Sequence, residues 1–385
     1  MKPTKIFISA LEYSANLHLL RLLNAFKDKN LPFTLCGIFD SEVLIDYKDN
    51  LQNHFDPSSF RVMGFSGILK LIPKFLTLKK ELAKIASTSD IALFMDSSSF
   101  NIPLIKAIRK NRQDNTVSAP HIIYYILPQV WAWKAYRAKV LSEICDSLWG
   151  ILPFERNFYP ESANLHYVGH PLLDAIPFSL NSRQNSKTIA FMPGSRKAEI
   201  QALFPVFKNL AKMLRNKGKI PLLIAPQTFK DKNLNEIYGD ISDFEITFDT
   251  YLGLKECSFA FICSGTATLE STLLGIPTIL AYKTRKLDYC IAKTLVKLNF
   301  IGLSNIFLEF QTYKSPKNNP NPKTPPIHPE FLQHLVTSEN LLNAYENYNY
   351  TLFYTQKTKL LEYLQHGSAQ TCAKNLENLI KNLQK

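Results

Sequence analysis

The stretch Ile122 to Trp133, IIYYILPQVWAW, and the basic run behind it, Lys134 to Lys139, KAYRAK, decide how the chain is read. The first residues have the character of a buried β-strand. That strand breaks at Leu127-Pro128, because proline cannot donate to a strand ladder and biases its predecessor away from helix. Two tryptophans and a glutamine at a strand's carboxyl end suit the lip of a binding cleft, where open α/β sheets hold their ligands. The alternative is that Trp131 and Trp133 both plug a core, as aromatics often do.

Outward from this stretch, short apolar runs alternate with amphipathic ones. Strands are expected at Lys5 to Ser9, Phe33 to Gly37, Ile91 to Met95, His121 to Ile126, Ser147 to Leu152 and His166 to Val168, with helices such as Asn16 to Lys29 and Gly67 to Ser87 between them. That alternation is the sequence form of βαβ units around a parallel sheet. The polar stretch Ser179 to Lys187 reads as an interdomain linker. A second set follows, with strands near Thr188 to Met192, Pro221 to Ile224, Glu245 to Phe248, Phe259 to Cys263 and Thr278 to Ala281. Two such sheets joined by a hinge form a cleft between their carboxyl edges. KSPKNNPNPKTPP, from Lys314, reads as an exposed loop, and the chain looks helical from Ser338 onward.

At 385 residues, 46% of them hydrophobic, the chain has enough apolar material for two cores. Its net charge of +13 points to a polyanionic partner: nucleic acid, anionic lipid or a phosphorylated substrate. Lysine enrichment for solubility is the plainer reading. Six scattered cysteines without a Cys-x-x-Cys pair read as reduced and mostly buried. The run Ile6 to Leu11 is too short for a signal-peptide core, and no run reaches the length of a membrane span. The expectation is a soluble or peripheral protein of the cytoplasm.

Asp96 ends an apolar strand and precedes three serines, a placement suited to a general base, although an aspartate there also makes ordinary turns and helix caps. Pro193-Gly194-Ser195-Arg196 follows one strand and precedes a helical pattern, so backbone amides could approach a phosphate that Arg196 binds bidentately. Ser264-Gly265-Thr266 repeats the arrangement after another strand, with Glu270 inside the following helix available to sugar hydroxyls. No Gly-x-Gly, no Gly-x4-Gly-Lys and no histidine cluster with metal-ligand spacing exists, so neither cofactor nor metal is expected. The segment 62–82, VMGFSGILKLIPKFLTLKKEL, interleaves Phe65, Ile68, Leu69, Ile72, Phe75 and Leu76 with lysines. It suits an anionic membrane or an acyl groove, or equally a helix packed on a sheet. Pro73 disfavours one long regular helix there.

Together these segments resemble the lipid-A-disaccharide synthase family. The resemblance rests on Val62-Met63-Gly64, Asp96 to Asn101, Pro128 to Trp133, Leu152 to Glu155, Gly169-His170-Pro171, Pro193 to Arg196 and Ser264 to Glu270, in that order. It implies an α/β glycosyltransferase-B fold, in which two Rossmann-like domains, 1–178 and 188–350, face a central cleft and residues 351–385 return to the first. It also implies an inverting transfer from UDP-2,3-diacylglucosamine to 2,3-diacylglucosamine 1-phosphate at the cytoplasmic face of the inner membrane. Asp96 would deprotonate the acceptor, while Arg196, Ser264, Gly265 and Thr266 would hold the diphosphate and Glu270 the ribose. Glu12, Ser14, Asn16, Asn101, Gln129 and Trp131 would line the acceptor side, and Asn305 and Gln333 the donor side. Lys134 and Arg137 would lie near an acidic lipid.

The chain departs from the family at its start. Leu11-Glu12-Tyr13-Ser14-Ala15-Asn16 stands where the pattern has Gly-Glu-x-Ser-Gly-Asp, so Asn16 cannot act as an acid or base. Ser99 replaces a second aspartate, which puts more weight on Asp96. Competing readings are a nucleotide-sugar epimerase, a different lipid glycosyltransferase, or a non-catalytic anionic-lipid binder. Nucleic acid is disfavoured because the aromatics sit in apolar strands and form no exposed stacking ladder.

Overall fold

The computed structural model describes residues 2–57, 68–113, 120–176, 185–263, 265–283, 298–312 and 325–384, and for 68–76 and 111–113 the backbone alone. The chain divides into two compact units, Met1–Asp174 with His366–Lys385, and Ala175–Gln365.

The first unit is built on β1 (Thr4–Ala10), β2 (Phe33–Ile38), β3 (Leu51–Phe55), β4 (Ile91–Met95), β5 (His121–Tyr125), β6 (Ser147–Gly150) and β7 (Leu165–Tyr167). Its order is β3-β2-β1-β4-β5-β6-β7, all parallel. Its helices are α1 (Tyr13–Lys27), α2 (Ile68–Ser87), α3 (Ser98–Gln113), α4 (Tyr136–Ile144) and α5 (Pro171–Ala175). The central strands are buried on both faces, as parallel strands must be when helices cover both sides. Ile8, Leu93, Ile123 and Tyr125 pack towards α1, while Phe7, Phe94, Ile122 and Tyr124 join Leu82, Leu104, Ile108 and Leu141 on the opposite face. Contrary to expectation, α2 runs without a break through Pro73. Proline there forfeits only the bond to the carbonyl of Leu69, in the opening turn.

The second unit holds β8 (Thr188–Met192), β9 (Ile220–Ile224), β10 (Glu245–Thr247), β11 (Phe259–Cys263), β12 (Thr278–Tyr282) and β13 (Glu330–Leu332) in the order β10-β9-β8-β11-β12-β13. Helices α6 (Lys197–Arg215), α7 (Leu234–Tyr238), α8 (Thr250–Lys255), α9 (Thr266–Leu274), α10 (Leu303–Thr312), α11 (Ser338–Glu346) and α12 (Tyr350–Leu364) belong to it. Every strand the sequence suggested is present within a few residues, and β3 and β13 are additional. Both are edge strands, and neither is an apolar run.

The expected C-terminal block 351–385 is divided. Helix α12 packs on α9 and α10 of the second unit, and only α13 (Ala369–Leu383) returns to α1. Gln365 turns the chain with φ 62°. Asp174 then caps the new helix, accepting from Ser368 N at 2.8 Å, Ser368 Oγ at 2.9 Å and Ala369 N at 3.0 Å. Ser368 Oγ also lies 2.7 Å from the hydroxyl of Tyr125 in β5.

Candidate functional site

In an open α/β sheet the ligand crevice lies outside the carboxyl ends of the two strands where the strand order reverses. In the first unit those strands are β1 and β4, paired to their last residues with Ala10 beside Met95. Glu12 follows β1, and Asp96 follows β4. Both Asp96 and Ser97 have left-handed backbone, φ 48° and 37°, and Ile126 and Lys134 in the adjacent loop after β5 have φ 62° and 51°. Of the eight non-glycine residues with positive φ among those described, four therefore lie in these two loops. Such conformations cost about 1–3 kcal/mol each and persist only where surrounding structure imposes them.

What imposes the turn at Asp96 is a set of buried hydrogen bonds. Tyr124 donates its hydroxyl to the Asp96 carbonyl. Asn101 Nδ2 donates to the same carbonyl at 2.9 Å and to Met95 O at 3.1 Å, and is itself fixed by Ser9 Oγ at 2.7 Å. The Asp96 N–H donates to Tyr125 O at 3.1 Å. Burial pushes the Asp96 carboxyl above the ordinary aspartate range, a bond from the Ser97 backbone partly opposes this, and the charge of Glu12 adds to it. A carboxylate with raised proton affinity is a better base.

Several residues expected to touch substrate serve the scaffold instead. Asn101 is fully buried in the bonds just described. Asn16 is also fully buried, donating to Ala10 O and Glu12 O, both at 2.9 Å, and accepting from Asp40 N at 2.8 Å. The loss of an acidic group there leaves a residue that ties the end of β1 to the loop after β2. Trp131 is 2% exposed and packs edge-on against Phe154, so the core reading holds for it. Trp133, two residues on, is 49% exposed, and Gln129, Glu12 and Ser14 are exposed as well.

In the second unit the strand order reverses between β8 and β11. A cavity of about 450 Å³ opens there, lined among others by Gly194, Ser195, Arg196, Glu199, Pro226, Thr250, Cys263, Gly265 and Thr266. Gly194, at φ 102°, lets the chain turn where a Cβ would lie 2.7 Å from Glu199 Oε2. Helix α6 is closed at its amino end, since Glu199 accepts from Arg196 N at 3.4 Å and pairs with Arg196 Nη1 at 2.9 Å. Helix α9 is open. Gly265 at φ 145° is its N-cap, no side chain among the described residues caps it, and a Cβ there would meet nothing within 4 Å. Free N–H groups and the positive end of the helix dipole suit an anion.

Arg196 thus lines this cavity, with a side chain 82% exposed and a carboxylate partner the sequence reading overlooked. Its signal was present as Glu199 three residues after the cap. Thr266 lines the same cavity, whereas Ser264 lies outside the described residues. Glu270 is part-buried in α9, and burial raises its carboxyl. Asn305 is a correction: it is buried, donating to His328 O at 3.0 Å and Glu330 Oε1 at 2.7 Å and accepting from Ile327 N at 2.8 Å. These bonds fix the approach to β13. Gln333, at φ 56°, ends β13 at the sheet edge, away from the β8–β11 reversal. Phe65 falls outside the described residues, as do the side chains of Ile68, Leu69, Ile72, Phe75 and Leu76. No helix among the described residues is long and apolar enough to cross a membrane.

Comparison with known proteins sharpens this picture. The family model described as lipid-A-disaccharide synthetase matches residues 6–372. A lipid-A-disaccharide synthase from Helicobacter pylori (strain G27) is 43% identical over 385 residues, covering 98% of this chain and 99% of the relative. Among solved structures, the calicheamicin glycosyltransferase CalG4 aligns over 99% of both chains with TM-score 0.56 at 10% identity. The UDP-GlcNAc 2-epimerase from Neisseria meningitidis bound to UDP-GlcNAc aligns over 99% of this chain and 100% of its own, with TM-score 0.53 at 12% identity. At such low identity these structures speak for the fold alone, a glycosyltransferase-B arrangement of two parallel-sheet α/β domains. The chain belongs to the lipid-A-disaccharide synthetase family and is a glycosyltransferase of lipid A disaccharide synthesis.

Proposed function

We propose that the protein transfers the sugar of UDP-2,3-diacylglucosamine to the 6-hydroxyl of 2,3-diacylglucosamine 1-phosphate. The acceptor oxygen attacks the anomeric carbon on the face opposite UDP, the C1–O bond to the diphosphate breaks, and the hydroxyl proton passes to Asp96. The product is the β-1,6 disaccharide 1-phosphate, with UDP leaving. The observation that carries this reading is Asp96 at the β1–β4 reversal, in a strained turn and with raised proton affinity.

On the donor side, the open amino end of α9 at Gly265 and Thr266 receives the diphosphate, with Ser264 beside it and Glu270 holding the ribose. Arg196 shifts from Glu199 to the leaving phosphate, where a fixed positive charge offsets the developing negative one. Glu12, Ser14 and Gln129 are the exposed acceptor-side candidates, and Gln333 is a donor-side one. The segment 62–82, with Phe65, Ile68, Leu69, Ile72, Phe75 and Leu76, takes acyl chains or the inner-membrane surface, and the enzyme is peripheral to the cytoplasmic face.

The test is incubation of the protein with both acylated substrates in mixed micelles, following UDP and disaccharide by mass spectrometry. Stoichiometric UDP and disaccharide are expected. Action on unacylated UDP-GlcNAc without any disaccharide would move the assignment to an epimerase.

A further inference from the structure

Arg137 carries a positive charge for which the described residues supply no ion-paired carboxylate. It stands in the first turn of α4, is 8% exposed, and its guanidinium donates, among the described residues, to the serines behind Asp96, at 2.7 Å to Ser98 Oγ and 3.5 Å to Ser99 Oγ. Arg109 on α3 shows the ordinary arrangement, paired with Asp146 Oδ2 at 2.8 Å. No carboxylate among the described residues pairs with Arg137 in that way. The nearby Asp96 is no substitute, since its carboxyl is raised by burial and not held down as an ion-paired one is. A guanidinium largely withdrawn from water is unfavourable unless an anion meets it.

A second cation stands beside it. Lys134, exposed and in a left-handed turn, places Nζ 4.3 Å from the centre of the Trp133 ring, and Arg137 Cζ lies 5.5 Å from the same centre. One half-exposed indole therefore gathers an ammonium and a guanidinium next to the Asp96 turn. A guanidinium fork and an exposed ammonium are the groups that bind a phosphate dianion.

We infer that Arg137 and Lys134, held on Trp133, form the receptor for the phosphate monoester of the acceptor lipid, an assignment that rests on the acceptor proposed above. The phosphate supplies the missing counter-charge and anchors one end of a sugar whose hydroxyl faces Asp96. Binding the phosphorylated acceptor and orienting it then become one event.

The experiment compares 2,3-diacylglucosamine 1-phosphate with the same lipid lacking its phosphate, on the unaltered protein and on Arg137→Gln, in identical micelles. Arg137→Gln should lower kcat/KM for the phosphorylated lipid roughly 10- to 100-fold more than for the dephosphorylated one, the worth of charge-assisted hydrogen bonds, so that the preference for the phosphate is lost. Equal losses on both lipids, or no loss on either, would overturn the inference, the former assigning Arg137 to the fold or to bilayer phosphodiesters. If Arg137→Gln does not fold, Lys134→Gln on the exposed side should show the same discrimination at about threefold to tenfold. If the unaltered protein turns over neither lipid, the proposed reaction fails, and equilibrium binding of the two lipids then decides the phosphate site alone. A preference for the phosphorylated lipid that Arg137→Gln or Lys134→Gln removes supports it, and equal affinities overturn it.

Discussion

The strand reversal in the first unit and the one in the second solve opposite problems. At β1–β4 the loops bend through non-glycine residues, held by Tyr124, Asn101 and Ser9, so that one carboxylate is aimed and partly dried. At β8–β11 the bends fall on Gly194 and Gly265, and the candidate groups are an open helix end and an arginine 82% exposed. Strain fixes a side chain, whereas glycine brings a backbone close to a ligand. The first arrangement suits a proton transfer and the second suits holding a diphosphate.

The contrast breaks most sharply at Asp96. Asp96→Ala should lower kcat roughly 10²- to 10⁴-fold while the UDP dissociation constant stays put, as steady-state rates and calorimetry would show. Unchanged turnover would remove Asp96 from the chemistry. Arg196→Ala should do the reverse, weakening UDP about tenfold, because an exposed side chain shared with Glu199 contributes less than a buried one. Equal UDP affinity would leave the α9 amino end as the diphosphate's main contact.

Smaller changes sharpen the aiming argument. Tyr124→Phe removes the hydroxyl that donates to the Asp96 carbonyl, at a cost of about 1 kcal/mol, and should lower kcat several-fold without moving either KM. A loss confined to thermal stability would mean the turn holds without it. The acid limb of kcat/KM should lie above the usual aspartate range: protonated Asp96 accepts no proton, its carboxyl is raised, and activity disappears as pH falls through that value. Glu12→Gln removes the lesser of the two raising effects, so the limb should move slightly lower. A limb that stays in place would mean burial acts alone.

The sheets were legible because parallel strands are written as apolar runs: IALFM and FAFIC, β4 and β11, have the bounds the runs suggested. Polar edge strands such as LQNHF carry no such signal. Residue type was a poorer guide at the sites. Asn16, Asn101 and Asn305 look like ligand contacts in a sequence, yet each satisfies backbone groups that burial would otherwise leave unpaired, as the interior requires. Trp131 and Trp133 belong to one motif, and only the turn after Pro128 decides which is packed and which exposed. The burial of Arg137 arises from its contact with serines about 40 positions earlier and has no local trace.

The cap that Asp174 places on α13 has a bearing on how the molecule is made. Cys372, Ala373, Leu376 and Ile380 complete the core that Leu19, Leu22 and Phe26 begin. Those contacts join residues about 350 positions apart, and the second unit, Ala175–Gln365, is translated between them. The second unit can therefore fold on the ribosome while the first still waits for α13. The unit that holds the aimed carboxylate is completed after the other, so a ribosome that stops short of residue 369 leaves an assembled second unit and an unsealed first core.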